Sequence, residues 1–488
     1  MSAIYDVAVI GGGPAGVAAA TLAARYALAT VLFDEQSRPG GQRYGAVLTG
    51  IEQRYCTPMA SGQQRSETLA HEGREGGLVA ALGQSGATAV FDATVWAACR
   101  RDDGLFDIGV AQGSPEGRNA RLTSARALIV ATGAVARPFP IPGGTLAGVV
   151  GADAPALHAT AEGKSQRRIV LAGNGPLLWQ LAAEYLAAGL RLETLAITTP
   201  RAQRLRALPK AWNAIGAADF LPGLALERRV GRRVRVVRNV TAIVARGPGR
   251  VETLELETPR GIEILQADLL VLHQGLAPEV NFGGALGCGY RWNDARASFE
   301  PIVDAWGGST LPGVFFAGDA AGVAGTAAAW ARGQLAALAV ANALGRIDAK
   351  ARDVAAEKPR AALRRSLRGR AFLDALHRPA DPYRIPSGDT VVCRCESVTA
   401  EEVIAMVRQG AAGPNQVKAF TRCGMGPCQG RSCGLTVTEL VARERRIPPG
   451  QVGYFRLRWP VKPLTLAELA TLPSSADAER AVARDAAH

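Results

Sequence analysis

The chain has 488 residues, 48% of them apolar and 20% charged, and its formal net charge is +13. This length exceeds what one hydrophobic core usually supports, so about two to four domains are expected. The composition excludes a largely disordered chain, and the lack of any run of ~18 apolar residues argues against a transmembrane helix.

Much of the positive charge is arginine, clustered at residues 228–235 and 364–370. Nucleic-acid binding would require a recognisable reading module beside such clusters, and the sequence contains none. We interpret the clusters as solvated surface, with a docking face for an acidic partner protein as the functional alternative. A strand candidate begins at Val7, which leaves no room for a signal peptide. The expected location is the cytoplasm, where a complex could lie against the inner membrane.

Residues 5–34 predict a strand, a turn, a helix and a second strand. Val7–Ile10 and Val31–Phe33 are short apolar runs, and the Ala-rich segment between them is typical of a helix. Unbroken apolar strands of this kind suit a parallel sheet that is covered on both faces. The sequence therefore predicts the α/β fold class.

The turn between this strand and helix fits the pattern G-x-G-x-x-G. Gly11 permits the tight turn, Gly13 lets the backbone approach a pyrophosphate, and Gly16 allows helix and strand to pack closely. Pro14 and Ala15 begin the helix, whose N-terminus offers free N–H groups to phosphates. The turn therefore predicts a dinucleotide site.

The same site requires a carboxylate at the end of the second strand, where it can bind a ribose hydroxyl. Asp34 is the expected residue, and its neighbour Glu35 is the second choice.

A second strand–turn–helix–strand unit begins at Arg168, but its nucleotide site is degenerate. Leu178 occupies the third glycine position, where a side chain would push helix and strand apart. The second strand of this unit runs into Thr198 and Thr199, without a carboxylate for a ribose. We therefore expect poor reduction by NADH or NADPH.

Five of the eight cysteines cluster near the C-terminal end. The spacing C-x-C-x₃₂-C-x₄-C selects Cys393, Cys395, Cys428 and Cys433 as metal ligands and leaves Cys423 out. Thiolates among glycines suit an iron–sulfur cluster, because small residues let backbone N–H groups reach the sulfurs. A structural zinc site is the alternative, although Cys₄ zinc sites usually pair C-x₂-C knuckles. A disulfide scaffold is disfavoured in a chain without an export signal.

Later segments of the chain resemble the two-dinucleotide-domain flavoproteins of the glutathione reductase type. The resemblance covers residues 1–349 and rests on Ala131-Thr132-Gly133, on Ser309–Asp319, and on the loop Gly40-Gly41-Gln42. It implies non-covalently bound FAD, with Asp319 on the flavin ribitol. The residues expected to bind FAD are Gly11, Gly13, Pro14, Ala15, Gly16, Asp34, Glu35, Gly41, Gln42, Val95, Ala131, Thr132, Gly133, Gly318 and Asp319.

The cysteine pattern resembles the bacterioferritin-associated-ferredoxin (BFD) type of [2Fe–2S] domain. Nearly the whole chain resembles the α (A) subunits of opine oxidases, together with the FAD/iron–sulfur subunits of hydrogen cyanide synthase and of hydroxyproline dehydrogenases. In those complexes a separate FAD-containing β subunit, similar to amino-acid oxidases, oxidises the C–N bond of the substrate. The resemblance implies the same partner for this chain and admits a small ferredoxin-like chain as a third component.

The expected architecture is a glutathione-reductase-like flavoprotein with a small C-terminal α-helical BFD-like [2Fe–2S] domain. The expected divisions are 1–140 and 279–349 for the FAD-binding domain, 141–278 for the second Rossmann-like domain, 350–388 for a linker that packs against the body, 389–470 for the [2Fe–2S] domain and 471–488 for a frayed tail.

The resulting hypothesis is an electron-transfer subunit of a hetero-oligomeric amino-acid, opine or amine dehydrogenase. No catalytic residue is expected on this chain, because its five histidines lie in no base–nucleophile pattern. Two alternatives stay open: a self-sufficient NAD(P)H-dependent flavin/iron–sulfur reductase, and a scaffolding subunit whose cluster is purely structural.

Overall fold

The computed structural model describes residues 4–41, 80–113, 117–152, 167–215, 217 and 220–472. Gln42 and residues 473–488 of the expected tail lie outside these ranges. Within them no helix is long and apolar enough to cross a membrane.

The described strands form a seven-stranded sheet, a five-stranded sheet and four smaller sheets. In chain order they are β1 Ile4–Ile10, β2 Thr30–Phe33, β3 Thr88–Val90, β4 Ala93–Arg100, β5 Phe106–Gln112, β6 Asn119–Val130, β7 Ala134–Ala136, β8 Val149–Gly151, β9 Ile169–Gly173, β10 Leu192–Ile197, β11 Arg235–Arg238, β12 Ala242–Arg246, β13 Thr253–Thr258, β14 Gly261–Gln266, β15 Leu269–His273, β16 Leu276–Pro278, β17 Tyr290–Asn293, β18 Ser298–Pro301, β19 Val314–Phe316, β20 Val391–Cys393 and β21 Val398–Thr399.

More than half of the described α-helices lie after residue 348 in the chain. Two 3₁₀ helices cover Leu208–Ala214 and Gly318–Ala321. In chain order the α-helices are α1 Pro14–Arg25, α2 Pro176–Ala187, α3 Arg201–Ala207, α4 Phe220–Gly231, α5 Asn281–Ala285, α6 Thr326–Ala343, α7 Ala349–Ser366, α8 Arg370–His377, α9 Asp381–Arg384, α10 Ala400–Arg408, α11 Pro414–Thr421, α12 Gly434–Arg445, α13 Pro449–Val452 and α14 Leu466–Ala470.

The first sheet has the order β3-β2-β1-β6-β5-β4, and β19 also pairs with β6. Strands β1, β2, β3, β6 and β19 run parallel, which confirms the predicted βαβ unit. Helices α1 and α6 cover one face with a core of small side chains. A Cβ at Gly333 would lie 2.1 Å from the carbonyl oxygen of Ala15, so only glycine permits this crossing of the two helices.

The second sheet is parallel throughout, with the order β11-β10-β9-β15-β8. Helix α2 packs on one face of it, and the antiparallel strands β12–β14 help to cover the other. Leu178 is fully buried between α2 and the sheet, at the position where a dinucleotide site would have its third glycine. The middle part of the chain is therefore a Rossmann-like domain in which a buried leucine side chain replaces that glycine.

The segment from residue 350 to 388, predicted as a linker with a helical pattern, contains most of α7 and all of α8 and α9. Helix α7 begins at Ala349, where the Asp348 side chain accepts a hydrogen bond from Ala351 N, and it packs against α6. Arg384 of α9 forms a buried ion pair with Glu439 of α12. These contacts join the body to the helical domain that follows.

The C-terminal domain is a small helical unit around one apolar core. Helix α10 begins with a capping box, in which Thr399 and Glu402 exchange hydrogen bonds. After α13 the chain returns to the first sheet, where Val461 N donates to Trp96 O and Thr471 Oγ1 accepts from Ala120 N. The last described segment therefore connects the C-terminal domain to the flavoprotein body through hydrogen bonds to the first sheet.

Candidate functional site: two adjoining cofactor sites

The glycine turn lies at the carboxyl end of β1, where the backbone comes close to neighbouring strands. A Cβ at Gly16 would lie 1.8 Å from Gly11 O, and one at Gly11 would lie 2.4 Å from Ala131 O. Gly13 is different, since the nearest described atom to its Cβ position is Gly41 Cα at 4.0 Å. Gly11 and Gly16 are therefore required by packing, whereas Gly13 faces free space of the kind a pyrophosphate needs.

Asp34 is buried beside the glycine turn. Its carboxylate accepts hydrogen bonds from Gly12 N and from Gln36 N, the latter at 2.7 Å. Burial raises the pKa of this carboxyl above its ordinary value. Glu35 points elsewhere and pairs with Lys462 at 2.8 Å. The geometry therefore favours Asp34 over Glu35 as the residue that faces a bound ribose.

The segment Ala131-Thr132-Gly133 continues from β6, next to the glycine turn, and Ala131 N donates to Ile10 O. Thr132 Oγ1 is buried and has no hydrogen-bond partner among the described residues. An unsatisfied buried hydroxyl and the free space at Gly13 together fit a bound dinucleotide such as FAD. Val95, on β4, packs in an apolar core with residues of β2 and β6. Its predicted contact with FAD stays a prediction.

Gly318 and Asp319 follow β19, which joins the same sheet edge because Ala317 N donates to Val130 O. A Cβ at Gly318 would meet the Ala15 side chain at 2.7 Å. Asp319 Oδ1 accepts a hydrogen bond from Ala324 N at 2.9 Å, just before α6 begins. The structure thus brings the three predicted FAD segments together at the carboxyl ends of adjacent parallel strands, where open α/β sheets bind ligands.

All five C-terminal cysteines lie around one loop system. The sulfurs of Cys393, Cys423 and Cys433 are buried and within 4.8 Å of one another. Burial and the neighbouring Cys428 thiol raise the pKa of Cys395. The spacing pattern leaves Cys423 out, whereas the structure places its sulfur between two of the predicted ligands. The ligand set drawn from the spacing stays a prediction.

The thiol environment favours a thiolate at Cys393. The Cys423 and Cys433 thiols and the backbone N–H groups of Gly424 and Glu396 stabilise its charged form, so the pKa of Cys393 lies well below its ordinary value. Thiolates are the form that binds metals. One buried group of three sulfurs beside a second pair is a donor set that fits a [2Fe–2S] cluster, whose two irons each take two cysteines.

The glycines of this loop are required by close packing. A Cβ at Gly426 would lie 2.2 Å from Cys395 Cβ, and one at Gly424 would meet the Phe455 ring at 2.7 Å. Both Gly424 and Gly430 also have a positive φ, near +91° and +80°. Only glycine therefore allows this loop to pack so closely on Cys395 and Phe455, and the predicted N–H contacts to the sulfurs stay a prediction.

The two sites adjoin through a short chain of contacts. Gly133 O accepts a hydrogen bond from Glu279 N at 3.1 Å, and the Glu279 carboxylate pairs with Arg431 at 3.1 Å. Arg431 in turn donates to the carbonyl of Cys428 at 3.3 Å, and Asn281 Nδ2 donates to Gln429 O at 2.7 Å. The segment predicted to bind flavin is therefore in near contact with the cysteine loop.

Sequence reasoning missed Glu279, Asn281 and Arg431. Arg431 stands inside the cysteine pattern, and Glu279 directly follows the short strand β16. These features could have drawn attention to each loop. A single sequence gives no signal that Glu279 and Arg431, which are 152 positions apart, form an ion pair.

The degenerate second nucleotide site is covered by the end of α8. Asn174, in the glycine turn, donates to His377 O at 3.0 Å and accepts from Thr199 Oγ1 at 2.8 Å. Gln203 Nε2 donates to Arg378 O at 2.7 Å. Burial lowers the pKa of His377 to about 4, so its ring is neutral at pH 7. The chain itself thus covers the edge at which a nucleotide ribose would bind.

Comparisons with known proteins agree with both sites. The family model for pyridine nucleotide-disulphide oxidoreductases matches residues 5–343, and the model for BFD-like [2Fe–2S] binding domains matches residues 391–443. The fold and the two sites define an FAD-dependent oxidoreductase that also carries a [2Fe–2S] cluster.

The chain is 39% identical to the opine oxidase A subunit of Rhizobium meliloti, over 98% of this chain and 89% of that protein. It therefore belongs to the family of opine oxidase A subunits. Hydrogen cyanide synthase subunit HcnB of Pseudomonas protegens is 28% identical over 93% of this chain and 95% of that protein. The solved structure of L-proline dehydrogenase from P. horikoshii shares the fold, with a TM-score of 0.65, 20% identity and coverage of 96% of this chain and 79% of that one.

Proposed function

We propose that this chain is the electron-transfer subunit of a hetero-oligomeric dehydrogenase that acts on an amino acid, an opine or an amine. A partner subunit, similar to amino-acid oxidases and carrying its own FAD, oxidises the C–N bond. The substrate gives up two electrons and two protons there, and becomes an imine. The electrons pass through this chain to a quinone or dye, which is reduced by two electrons. FAD and a [2Fe–2S] cluster supply two-electron and one-electron chemistry respectively.

The observation that carries this proposal is the contact path from Gly133 through Glu279 and Arg431 to Cys428. Because electron transfer falls off steeply with distance, a flavin segment in near contact with a cluster loop favours transfer between them. The Glu279–Arg431 pair is largely buried, with exposures of 8% and 15%, so it fixes the two loops relative to each other.

The division of labour is supported by the names of two relatives. The opine oxidase A subunit and the HcnB subunit of hydrogen cyanide synthase are each named as one subunit of an enzyme. A partner subunit is therefore expected to carry the site of C–N oxidation.

The purified chain alone should show no amino-acid or opine dehydrogenase activity with a dye acceptor, although it contains FAD and iron. Adding the subunit that co-purifies with it should create the activity, because that subunit supplies the substrate site. Steady-state dye reduction by the chain, by the partner and by the mixture tests this. Robust substrate oxidation by the single chain would contradict the proposed division of labour.

NADH and NADPH should reduce the flavin of the isolated chain poorly. The physical reason is that Leu178 fills the position of the third glycine and that Asn174, Thr199 and His377 close the ribose edge. Stopped-flow absorbance in the flavin band measures the rate, and dithionite reduction of the same sample shows that the flavin is competent. Fast, saturable reduction by either nucleotide would instead favour the alternative, a self-sufficient NAD(P)H-dependent reductase.

A further inference from the structure

Arg431 is held beside the cysteine loop by three different groups. Its guanidinium donates to the carbonyl oxygen of Cys428 at 3.3 Å and to that of Val461 at 2.9 Å. It also pairs with the Glu279 carboxylate at 3.1 Å. With these three partners the guanidinium has a defined position, so its positive charge is fixed next to Cys428, a predicted ligand of the cluster.

Glu279 is fixed on the side of the flavin segment. Its backbone N–H donates to Gly133 O at 3.1 Å. Its carboxylate accepts hydrogen bonds from Asn281 N at 3.1 Å and from Phe282 N at 3.2 Å, at the start of α5. The positive member of the ion pair therefore lies on the cysteine loop, and the negative member lies on the segment next to Gly133.

Water screens these two charges only weakly. The Glu279 and Arg431 side chains are 8% and 15% exposed. Charges interact more strongly in the protein interior than in water, because the effective dielectric constant there is lower. In a second ion pair at this loop, Arg422 and Glu396, the arginine is 69% exposed. Solvent therefore screens the charge of Arg422 more than that of Arg431.

The phenol of Tyr454 shows that the ion pair and the cysteines share one environment. Its hydroxyl donates to Gly430 O at 3.1 Å. Burial raises the pKa of this phenol, and four charged groups act on it as well, namely Cys433, Glu279, Arg431 and Cys428. The ion pair and two of the predicted ligands are therefore close enough to act electrostatically on the same group.

Reduction of a cluster in this loop adds one electron, and hence one negative charge. The reduction potential of such a cluster depends on net charge, on hydrogen bonds to the sulfurs and on exposure to solvent. A nearby positive charge stabilises the reduced form and raises the potential, whereas a nearby negative charge lowers it. Both kinds of charge are present here in buried, fixed positions.

We propose that Arg431 and Glu279 set the reduction potential of the cluster through their opposite charges. Arg431 raises the potential because its charge stabilises the electron that the cluster gains, and Glu279 lowers it. That electron is lost by the flavin, or returns to it in the reverse direction, and no proton moves at the ion pair. The pair thus sets the energy difference for transfer between the two groups. This inference rests on the proposed function, since it assumes that transfer.

The test uses the full chain with FAD and cluster in place, without the partner. A redox titration monitored by EPR measures the midpoint potential of the cluster. Glu279→Gln removes the negative charge and keeps an oxygen for the same hydrogen bonds. It should raise the potential by about 59 mV, which is a tenfold change in the one-electron equilibrium.

Arg431→Gln should lower the midpoint potential by a similar amount, because the positive charge is lost. Arg431→Lys keeps the charge and should shift the potential less. The double variant Glu279→Gln, Arg431→Gln removes both charges, so its potential should lie between those of the two single variants.

The matched controls come from an exposed ion pair in the same domain. Arg408 and Glu444 pair at 2.9 Å, with side chains 60% and 30% exposed. Glu444 lies on α12, 11 residues after Cys433 and so about 16 Å farther along the helix axis. Glu444→Gln and Arg408→Gln should leave the midpoint potential, the flavin content and the iron content unchanged.

A purely structural role of the ion pair would give a different pattern. Opposite shifts in Glu279→Gln and Arg431→Gln support the inference, since disturbed packing would move both variants in the same direction. Shifts of the same sign, no shift in either variant, or loss of the cluster from both would overturn it. If one variant alone loses the cluster, the other decides: the expected shift supports the inference and any other result overturns it.

Failure of the proposed function gives a separate result. The midpoint potentials are measured on this chain alone, whereas the proposed function fails when the wild-type chain and its partner show no substrate oxidation together. Opposite shifts would therefore support the electrostatic role of the pair even if that activity were absent.

Discussion

Gly13→Val should give a folded chain without FAD. Gly13 has φ near −68°, an ordinary value for any residue, so valine fits the backbone there. Among residues 4–41 and the other described ranges, no atom would lie closer to its Cβ than Gly41 Cα at 4.0 Å. The branched side chain therefore occupies only the space in which the pyrophosphate is expected. The purified variant should lack the visible flavin absorption and should keep the circular dichroism of the wild-type chain.

Two other glycines serve as comparisons for this result. Gly223→Val is the matched control, because Gly223 also has open surroundings but lies on α4 in the middle layer; this variant should retain its flavin. Gly16→Ala places a Cβ 1.8 Å from Gly11 O, so it should damage the fold itself and lower the yield of soluble protein. A Gly13→Val chain with a full complement of FAD would show that the site is wrongly placed.

Cys393→Ser and Cys433→Ser should each abolish the [2Fe–2S] EPR signal of the reduced chain or shift it. These two cysteines belong to the ligand set expected from the spacing, and both lie in the buried group of three sulfurs. A serine oxygen is a harder and less suitable ligand than a thiolate. Iron and sulfide analysis should fall from about two of each per chain. Stoichiometric zinc in the wild-type chain would contradict the iron–sulfur assignment.

Cys423→Ser is the informative control. The spacing predicts that this variant keeps its cluster, with Cys395 and Cys428 as the remaining ligands. The structure makes Cys423 a possible ligand as well, because the sulfurs of Cys393, Cys423 and Cys433 all lie within 4.8 Å of one another. If the signal is lost in Cys423→Ser but retained in Cys395→Ser or Cys428→Ser, then Cys423 is a ligand and the cysteine whose variant keeps the signal is not.

The sequence by itself determined the fold class, a dinucleotide site and a thiolate metal site, and its resemblance to known flavoproteins and BFD-like domains indicated FAD and the [2Fe–2S] cluster. Part of the dinucleotide turn is local, because a Cβ at Gly16 would meet Gly11 O only five positions away, whereas Gly11 is constrained by Ala131 on a neighbouring strand. The capping box of α10 is local as well, because Thr399 and Glu402 lie three positions apart. Features whose physical cause lies within one turn of chain can be predicted from a single sequence.

Only the tertiary structure decided how these parts meet. The place of Cys423 among the sulfurs depends on how the loop before α12 folds over β20, and residue spacing does not contain that information. The covering of Asn174 by His377 and the pairing of Glu279 with Arg431 join residues that are 203 and 152 positions apart. Such contacts arise because packing of the helical domain on the two sheets brings distant loops together, and the energy of that packing is spread over many apolar side chains.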